Sequence, residues 1–541
     1  MRKNWFLLLT FSLLTAGVQA CSDSDSKVNV PPIEEPDEPG GDNPDDPGDK
    51  EAAEYFVSVS APSGGNGSLE RPFNTIGAGL AAAGPGDVVT VRGGVYSEAV
   101  YFPKSGTASK PIVLRAYEGE TPVIDGEQIP WRGSLALVRI SEVSYVTLEG
   151  FELRNLITDD GTKGPNGIVI SQGATNITVR NNHIHHIQNT APIGNNVWPG
   201  AWAIHVIGNT DRAVRNIVVD GNHVHDMVTG TSESVTINGY VDNFTISNNV
   251  IHDVSNIAID AAGGYAANSN PQFNFARNGV ICGNTIYNAE NSLGQLDGAY
   301  GAIAIYADGS RNITVERNRV FHCDRGIGMV SETDNYPTTG CIVRNNIVYD
   351  CHRAGIYMGG YLGYTGGGTA ECYIVNNTLY GNNTRSGHFS STEIEGEIRL
   401  TENCRNNVVK NNLVCSRRAE DLFIHKYTNT GSGNVIDNNH YSGFGAWMWG
   451  TRSWGADDWT WTDRIPTLAA WSSACGGDTK AHYSATPVYT FVPAIDSKFT
   501  ASDDPTIKNA GEALIPFYVG TTDFAGNPRI VDGKISIGAL Q

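Results

Sequence analysis

Two acids in similar settings stand 24 residues apart in the stretch from Ala302 to Glu332. Asp308 closes the run Ala302-Ile-Ala-Ile-Tyr-Ala-Asp308, and Glu332 closes Gly326-Ile-Gly-Met-Val-Ser-Glu332. Both runs read small, apolar, small, apolar, then an acid three residues on. If they are strands in successive coils of a repeating β structure, the acids occupy equivalent positions with Cα atoms about 4.8 Å apart. Two carboxyl groups about 5–5.5 Å apart suit retaining cleavage of a glycosidic bond, in which one attacks the sugar while the other protonates the leaving oxygen. Like charges this close also raise one pKa, so that one carboxyl keeps its proton. The plainer alternative is a turn, since Asp308-Gly309 is a common turn dipeptide.

Further polar residues fall on the same face of the expected strands. Asp260 follows Asn256-Ile-Ala-Ile one coil earlier and two positions back along the strand. That places it roughly 8 Å from Asp308. An Asp260/Asp308 pair suits an inverting mechanism, at about 6.5–9.5 Å, and Asp260 could equally hydrogen-bond sugar hydroxyls. His205, Asn238 and Tyr306 project from this face in nearby coils, His205 being equally readable as a surface or ladder histidine. Tyr265, Tyr300, Tyr336, Tyr357 and Tyr361 flank it in loops and could stack on sugar rings. Glu233 stands just before its strand as a further acid.

What positions these groups is a repeat. Ten segments align, among them Asn176-ITVRNNHI, Asn312-ITVERNRV and Asn406-NVVKNNLV, with starts 27 to 40 residues apart. Such a spread suits solenoid coils whose strands keep register while loops vary. The seventh position is Asn in nine of the ten, from Asn182 to Asn439, and Phe151 in the other. Inward asparagines at a bend can form a hydrogen-bonded ladder, a structural role. A second apolar strand precedes each new start, with alternate residues facing out.

The ends differ from this body. Residues 1–21 read as an export signal, with Arg2 and Lys3 before an apolar core too short to span a bilayer. Val18-Gln-Ala-Cys21 resembles a bacterial lipobox, which implies acylation at Cys21 and lipid anchoring at the outer membrane or surface of a Gram-negative cell; an ordinary cleaved signal is the alternative. Residues 22–54 form a Pro-rich linker with 12 acids and 2 bases, which is half of the net charge of −20. The folded part shows no basic stripe, which argues against nucleic acid. Residues 55–445 are expected to form the β-helix with an N-terminal cap, and 446–541 a C-terminal capping region rich in Trp. For those tryptophans packing is the favoured role over a sugar platform.

The opening Gly86-Asp-Val-Val-Thr-Val-Arg-Gly-Gly-Val-Tyr96 resembles the N-terminal cap of right-handed parallel β-helix proteins that act on polysaccharides. The segment from Ile305 to Asn318, followed by Gly326 to Glu332, resembles the active-site region of parallel β-helix glycoside hydrolases, including retaining β-xylosidases. The resemblance implies an all-β right-handed parallel β-helix of about ten or more coils, with Asp308 as nucleophile and Glu332 as acid/base. It also implies an enzyme acting on a poly- or oligosaccharide; a monomer is expected. Two other readings stand beside it: a lyase acting on an acidic polysaccharide with a Lys or Arg base and bound calcium, and a glycan-binding surface protein without activity. The central coils hold few lysines, and Asp159-Asp160 with Lys163 is the local candidate for a lyase site. No cofactor is expected; calcium is possible but not indicated. Eight cysteines follow Cys21 without a Cys-x-x-Cys pair, which argues against zinc. Cys341/Cys372 and Cys323/Cys351 should stack in successive coils, as small core residues in preference to disulfides.

Overall fold

The computed structural model describes residues 51–131, 135–194, 196–296, 300–385, 395–450 and 463–541. The expected signal, Cys21 and nearly all of the acidic linker lie outside them, as do Trp454, Trp459 and Trp461.

Three long parallel sheets run the length of the molecule, and each coil crosses them in turn. One coil contributes Thr175–Arg180 to sheet 1, His183–Asn189 to sheet 2 and Trp202–Gly208 to sheet 3. The architecture is a parallel β-helix. Alternation along each strand sends β-branched residues inward: Ile177, Val179, Ile184, Ile187, Ile204 and Val206 of this coil are all buried. Each contributes about 1.5–3 kcal/mol by leaving water, so the coils cohere by stacking apolar layers.

The Asn-Asn pairs have distinct jobs at the bend between sheets 1 and 2. The first Asn takes left-handed backbone angles, as at Asn181, Asn248, Asn345, Asn376, Asn411 and Asn438. Asn tolerates that region better than other residues with side chains, and Gly221 and Gly283 fill the same place in other coils. The second Asn points inward and forms the ladder. Asn284 takes hydrogen bonds from the backbone N–H and the side-chain amide of Asn249, both at 2.9 Å, and gives the equivalent pair to Asn318. The chain of bonds continues through Asn346, Asn377 and Asn412 to Asn439.

Both ends are covered. The helix Ile76–Ala82, capped by the Thr75 hydroxyl, buries Ile76 and Leu80 over the first coil. At the other end Trp447 and Trp471 are fully buried with ring centroids 6.2 Å apart, and the Trp471 indole donates to Asp478 at 2.7 Å. These tryptophans pack as a cap. Coiling also runs past the expected boundary at 445: Ala446–Trp449 is still a sheet 3 strand, and His482–Ser484 adds to sheet 2.

Beyond that, the C-terminal segment folds back as a strap along the bend. The side-chain amides of Asn438, Asn411, Asn376 and Asn345 donate to the carbonyls of Ala510, Glu512, Ser536 and Val519. Cys323, Cys341, Cys351 and Cys372 are buried free thiols; the Cys341 N–H donates to Cys372 Sγ at 3.4 Å. The stacked cysteines are core residues.

Candidate active site

Sheet 3 carries the acids. Its outward row reads, strand by strand, His205, Thr236, Asp260, Tyr306, Gly328, Tyr357 and Arg399. Two positions further along lies the row Asn238, Ala262, Asp308, Val330. Asp260 is therefore one strand before Asp308 and two positions back, as the spacing predicts.

The alignment of the two acid runs needs correcting. Asp308 lies opposite Val330, not Glu332, and Ile305 lies opposite Ile327. Matching the motifs end to end misplaces the register by two residues. A shift of two preserves which side chains face inward, so the apolar pattern alone does not detect it. Glu332 instead sits just past the strand Arg325–Ser331, at the start of a tight loop. That loop is pinned by Ser331 Oγ, which donates to the Thr333 carbonyl at 2.6 Å, and by Thr338 Oγ1, which donates to the Val330 carbonyl at 2.7 Å.

The loop brings Glu332 back to Asp308. The Glu332 N–H donates to Asp308 Oδ1 at 2.8 Å, and the Tyr265 hydroxyl donates to Asp308 Oδ2 and, at 3.3 Å, to Glu332 Oε2. Two carboxylate oxygens on one hydroxyl are at most about 6 Å apart. Tyr306 donates to Glu332 Oε1 at 3.1 Å, and Tyr364 to the Glu332 carbonyl at 2.7 Å. Gly328 makes room for this. A Cβ there would meet Tyr306 Cδ2 at 2.6 Å and Tyr357 Cε1 at 2.7 Å.

Electrostatics follow from crowding acids in a dry place. Burial, then the charges of Glu332 and Glu233, hold Asp308 well above the usual carboxylate range, against the lowering bonds from Tyr265 and the Glu332 N–H. Asp260 is raised by burial and then by the charges of Glu233, Asp308 and Glu332. Glu233 is pushed up to about 7, chiefly by burial, and accepts from Thr236 Oγ1 at 2.9 Å. His205 is pushed down to about 3 by burial, so it is neutral; its Nδ1 faces Asn166 Oδ1 and its ring stacks on Trp202 at 4.0 Å. Asp260 Oδ1, Asn238 Oδ1 and His205 Nε2 are buried without a hydrogen-bond partner.

Asp260, Asp308, Glu332, Tyr265, Tyr306, His205 and Asn238 thus share one face. Tyr300 does not join them: its ring packs edge-on against His352 at 5.0 Å, under the Arg385 guanidinium, at the entrance to its strand. Glu233 opens the strand Glu233–Gly239 instead of preceding it, and belongs to the acid group. Ser232-Glu233 before an apolar run was its sequence signal. Tyr364 and Trp202 carried none, because loop closure and stacking between coils place them. Among the described residues, ligand atoms close enough to share a metal ion occur in three groups, all built on histidines: His183/His223/His225, Glu152/His183/His185 and Glu290/His322/His352.

The chain is 30% identical over 455 residues to the Bacillus subtilis protein described as uncharacterized protein YwoF, covering 83% of this chain and 90% of that one. The chain belongs to the YwoF family. Within it, residues 55–211 match the model of a Pel9A-like, right handed beta helix region. Pectate lyase PEL9 of Emericella nidulans is 32% identical over 162 residues, or 27% of this chain and 38% of that one. Among solved structures, GH136 lacto-N-biosidase from Eubacterium ramulus aligns with a TM-score of 0.49 at 15% identity over 72% of this chain and 67% of that one. Pectate lyase Pel9A aligns with 0.42 at 13% identity over 90% and 96%. These two likenesses are of fold alone.

Proposed function

We propose that this member of the YwoF family is a retaining glycoside hydrolase acting on a poly- or oligosaccharide laid along sheet 3. The observation that carries the reading is the single Tyr265 hydroxyl bonded to both Asp308 and Glu332. That keeps the carboxyl groups near the separation of a nucleophile and its acid/base partner. Asp308, held by two donors, attacks the anomeric carbon. The bond to the leaving oxygen breaks, and that oxygen takes the proton of Glu332. Glu332 then removes a proton from water, which attacks the same carbon and frees Asp308. Asp260 Oδ1, Asn238 Oδ1 and His205 Nε2, buried and unpaired, suit sugar hydroxyls.

The lyase reading is supported by the pectate lyase match, which covers 27% of the chain. A lyase needs a basic side chain to abstract a proton. Asp308 and Glu332 are hydrogen-bonded by tyrosine hydroxyls and a backbone amide, and the nearby Arg325, Arg353 and Arg399 converge on Glu395. Acylation at Cys21 and anchoring at the cell surface complete the proposal, as a way to meet polymer outside the cell.

The test is digestion of plant and host glycans by the purified protein and by Asp308→Asn and Glu332→Gln. Hydrolysis with retained anomeric configuration by proton NMR, lost in both folded variants, is the expected result. Products absorbing in the ultraviolet, or full activity in both variants, would overturn it.

A further inference from the structure

On sheet 2, a different face from the acids, histidines stack across coils. His183 lies opposite His223, and His185 opposite His225, which lies opposite His252. The rings are parallel at 5.0 Å for His183/His223 and for His185/His225. The plainer role is an aromatic ladder, since the second row continues from His252 through Tyr287 and Phe321 to Tyr349 with the same kind of stacking.

Three features set the histidine end apart from the tyrosine end. First, ring nitrogens face one another: His183 Nε2 and His225 Nε2 are 2.6 Å apart, and His223 Nε2 and His252 Nε2 are 2.8 Å apart. Second, His183, His223 and His225 each hold one nitrogen within 4.8 Å of the others. Third, the far sides of the rings are fixed by carboxylates. His225 Nδ1 meets Asp226 Oδ2 at 2.7 Å, and His252 Nδ1 meets Asp253 Oδ2 at 2.6 Å. A carboxylate accepts and does not donate, so the proton sits on Nδ1 and the Nε2 lone pair of each ring is turned toward the cluster. Asp226 and Asp253 reach back in this way because both take left-handed backbone angles, φ 52° and 51°, directly after their histidines. Stacking alone does not require a carboxylate behind the ring. It is the arrangement found behind metal-bound imidazoles, where it sets the tautomer and raises basicity.

We infer that His183, His223 and His225 form a binding site for a divalent transition-metal ion of the zinc type, with Asp226 orienting His225. Imidazole nitrogens favour zinc, copper and nickel over calcium and magnesium, which prefer oxygen. With three protein nitrogens the ion keeps a position open toward solvent, and the partly exposed rings leave a small ion a route in. The site is separate from the acids of sheet 3 and takes no part in the proposed hydrolysis.

Untagged protein dialysed against Zn²⁺ should retain one ion per chain, with Ca²⁺ and Mg²⁺ failing to displace it. The double variant His183→Gln/His225→Gln should lose the ion, and Asp226→Asn should bind it about 10–100-fold more weakly. Circular dichroism and urea unfolding check that the variants remain folded. Should the double variant fail to fold, Co²⁺ added to the wild-type protein decides, because nitrogen ligation at low coordination number gives a visible d–d spectrum. No retained ion, a double variant that binds as tightly as wild type, or no spectrum with Co²⁺ would each overturn the assignment.

Discussion

The backbone N–H of Glu332 is hydrogen-bonded to Asp308 Oδ1 at 2.8 Å, although the two residues are not register partners. The acid that leads in sequence is thus oriented by the loop that bears the second. Any movement of that loop removes a donor from Asp308 as well as displacing Glu332. Pairing through a loop also leaves Asp308 with a second donor, Tyr265, from another coil.

Tyr265→Phe should shift the pH dependence of hydrolysis. Asp308 must be ionised to attack, and the Tyr265 bond lowers a pKa that burial raises. Losing a hydrogen bond to a charged group costs about 1.5–3 kcal/mol, or about one to two pH units. The acid limb of kcat/KM therefore moves to higher pH by that amount. A limb that stays in place rules out Asp308 as the group titrating there.

Gly328→Ala should damage activity without unfolding the protein. The new methyl meets two buried rings, one of which holds Glu332. Overpacking costs about 1–3 kcal/mol, and displacement of Tyr306 should lower kcat/KM by about tenfold or more. Kinetics alongside urea unfolding separate the two effects; unchanged kinetics would show that Tyr306 does not position Glu332.

Glu233→Gln should stabilise the fold, and only at higher pH. The Glu233 carboxyl rises from an ordinary 4.5 to about 7 on folding. Below the lower value it is protonated in both states and costs nothing. Between the two values the unfolded chain ionises while the folded one resists, and above the upper value the penalty is complete, about 3 kcal/mol at most. Unfolding midpoints of variant and wild type should coincide at pH 4 and separate by pH 8. Equal midpoints throughout would contradict the raised pKa.

Asn318→Leu should be severely destabilising. Asn318 donates to the Ile281 carbonyl at 2.9 Å and to Asn346 at 3.0 Å, and accepts from Asn284. Leucine leaves these buried partners unpaired, at about 1–3 kcal/mol each. Urea unfolding should show a loss of about 3 kcal/mol or more; a loss near zero would mean that water replaces the side chain.

Much of this was legible in the chain because a solenoid repeats its instructions. Asn-Asn at each bend marks both the left-handed residue and the ladder residue, and the apolar alternation marks the outward row that holds Asp260 and Asp308. Register was the harder part: a period of two cannot tell Glu332 from Val330 as the partner of Asp308. Tyr300 and Tyr265 look alike in sequence, yet one turns to His352 and the other to Asp308, because loop paths depend on contacts with other coils. Glu233 is hard to read from the chain because the acids that act on it, Asp260 and Glu332, come from other coils.

The strap from Ala510 to Ser536 has a consequence for biogenesis. A ribosome delivers coils in order from the N-terminus, and each can stack on the one before it. The segment that ties Asn438, Asn411, Asn376 and Asn345 together emerges after all four of them. Until then those bend amides face water, and the bend remains open for late coils to be rearranged. The strap works as a closing seam: a chain cut short within it would keep the coils that precede it yet lose the ties that fasten their bends to one another.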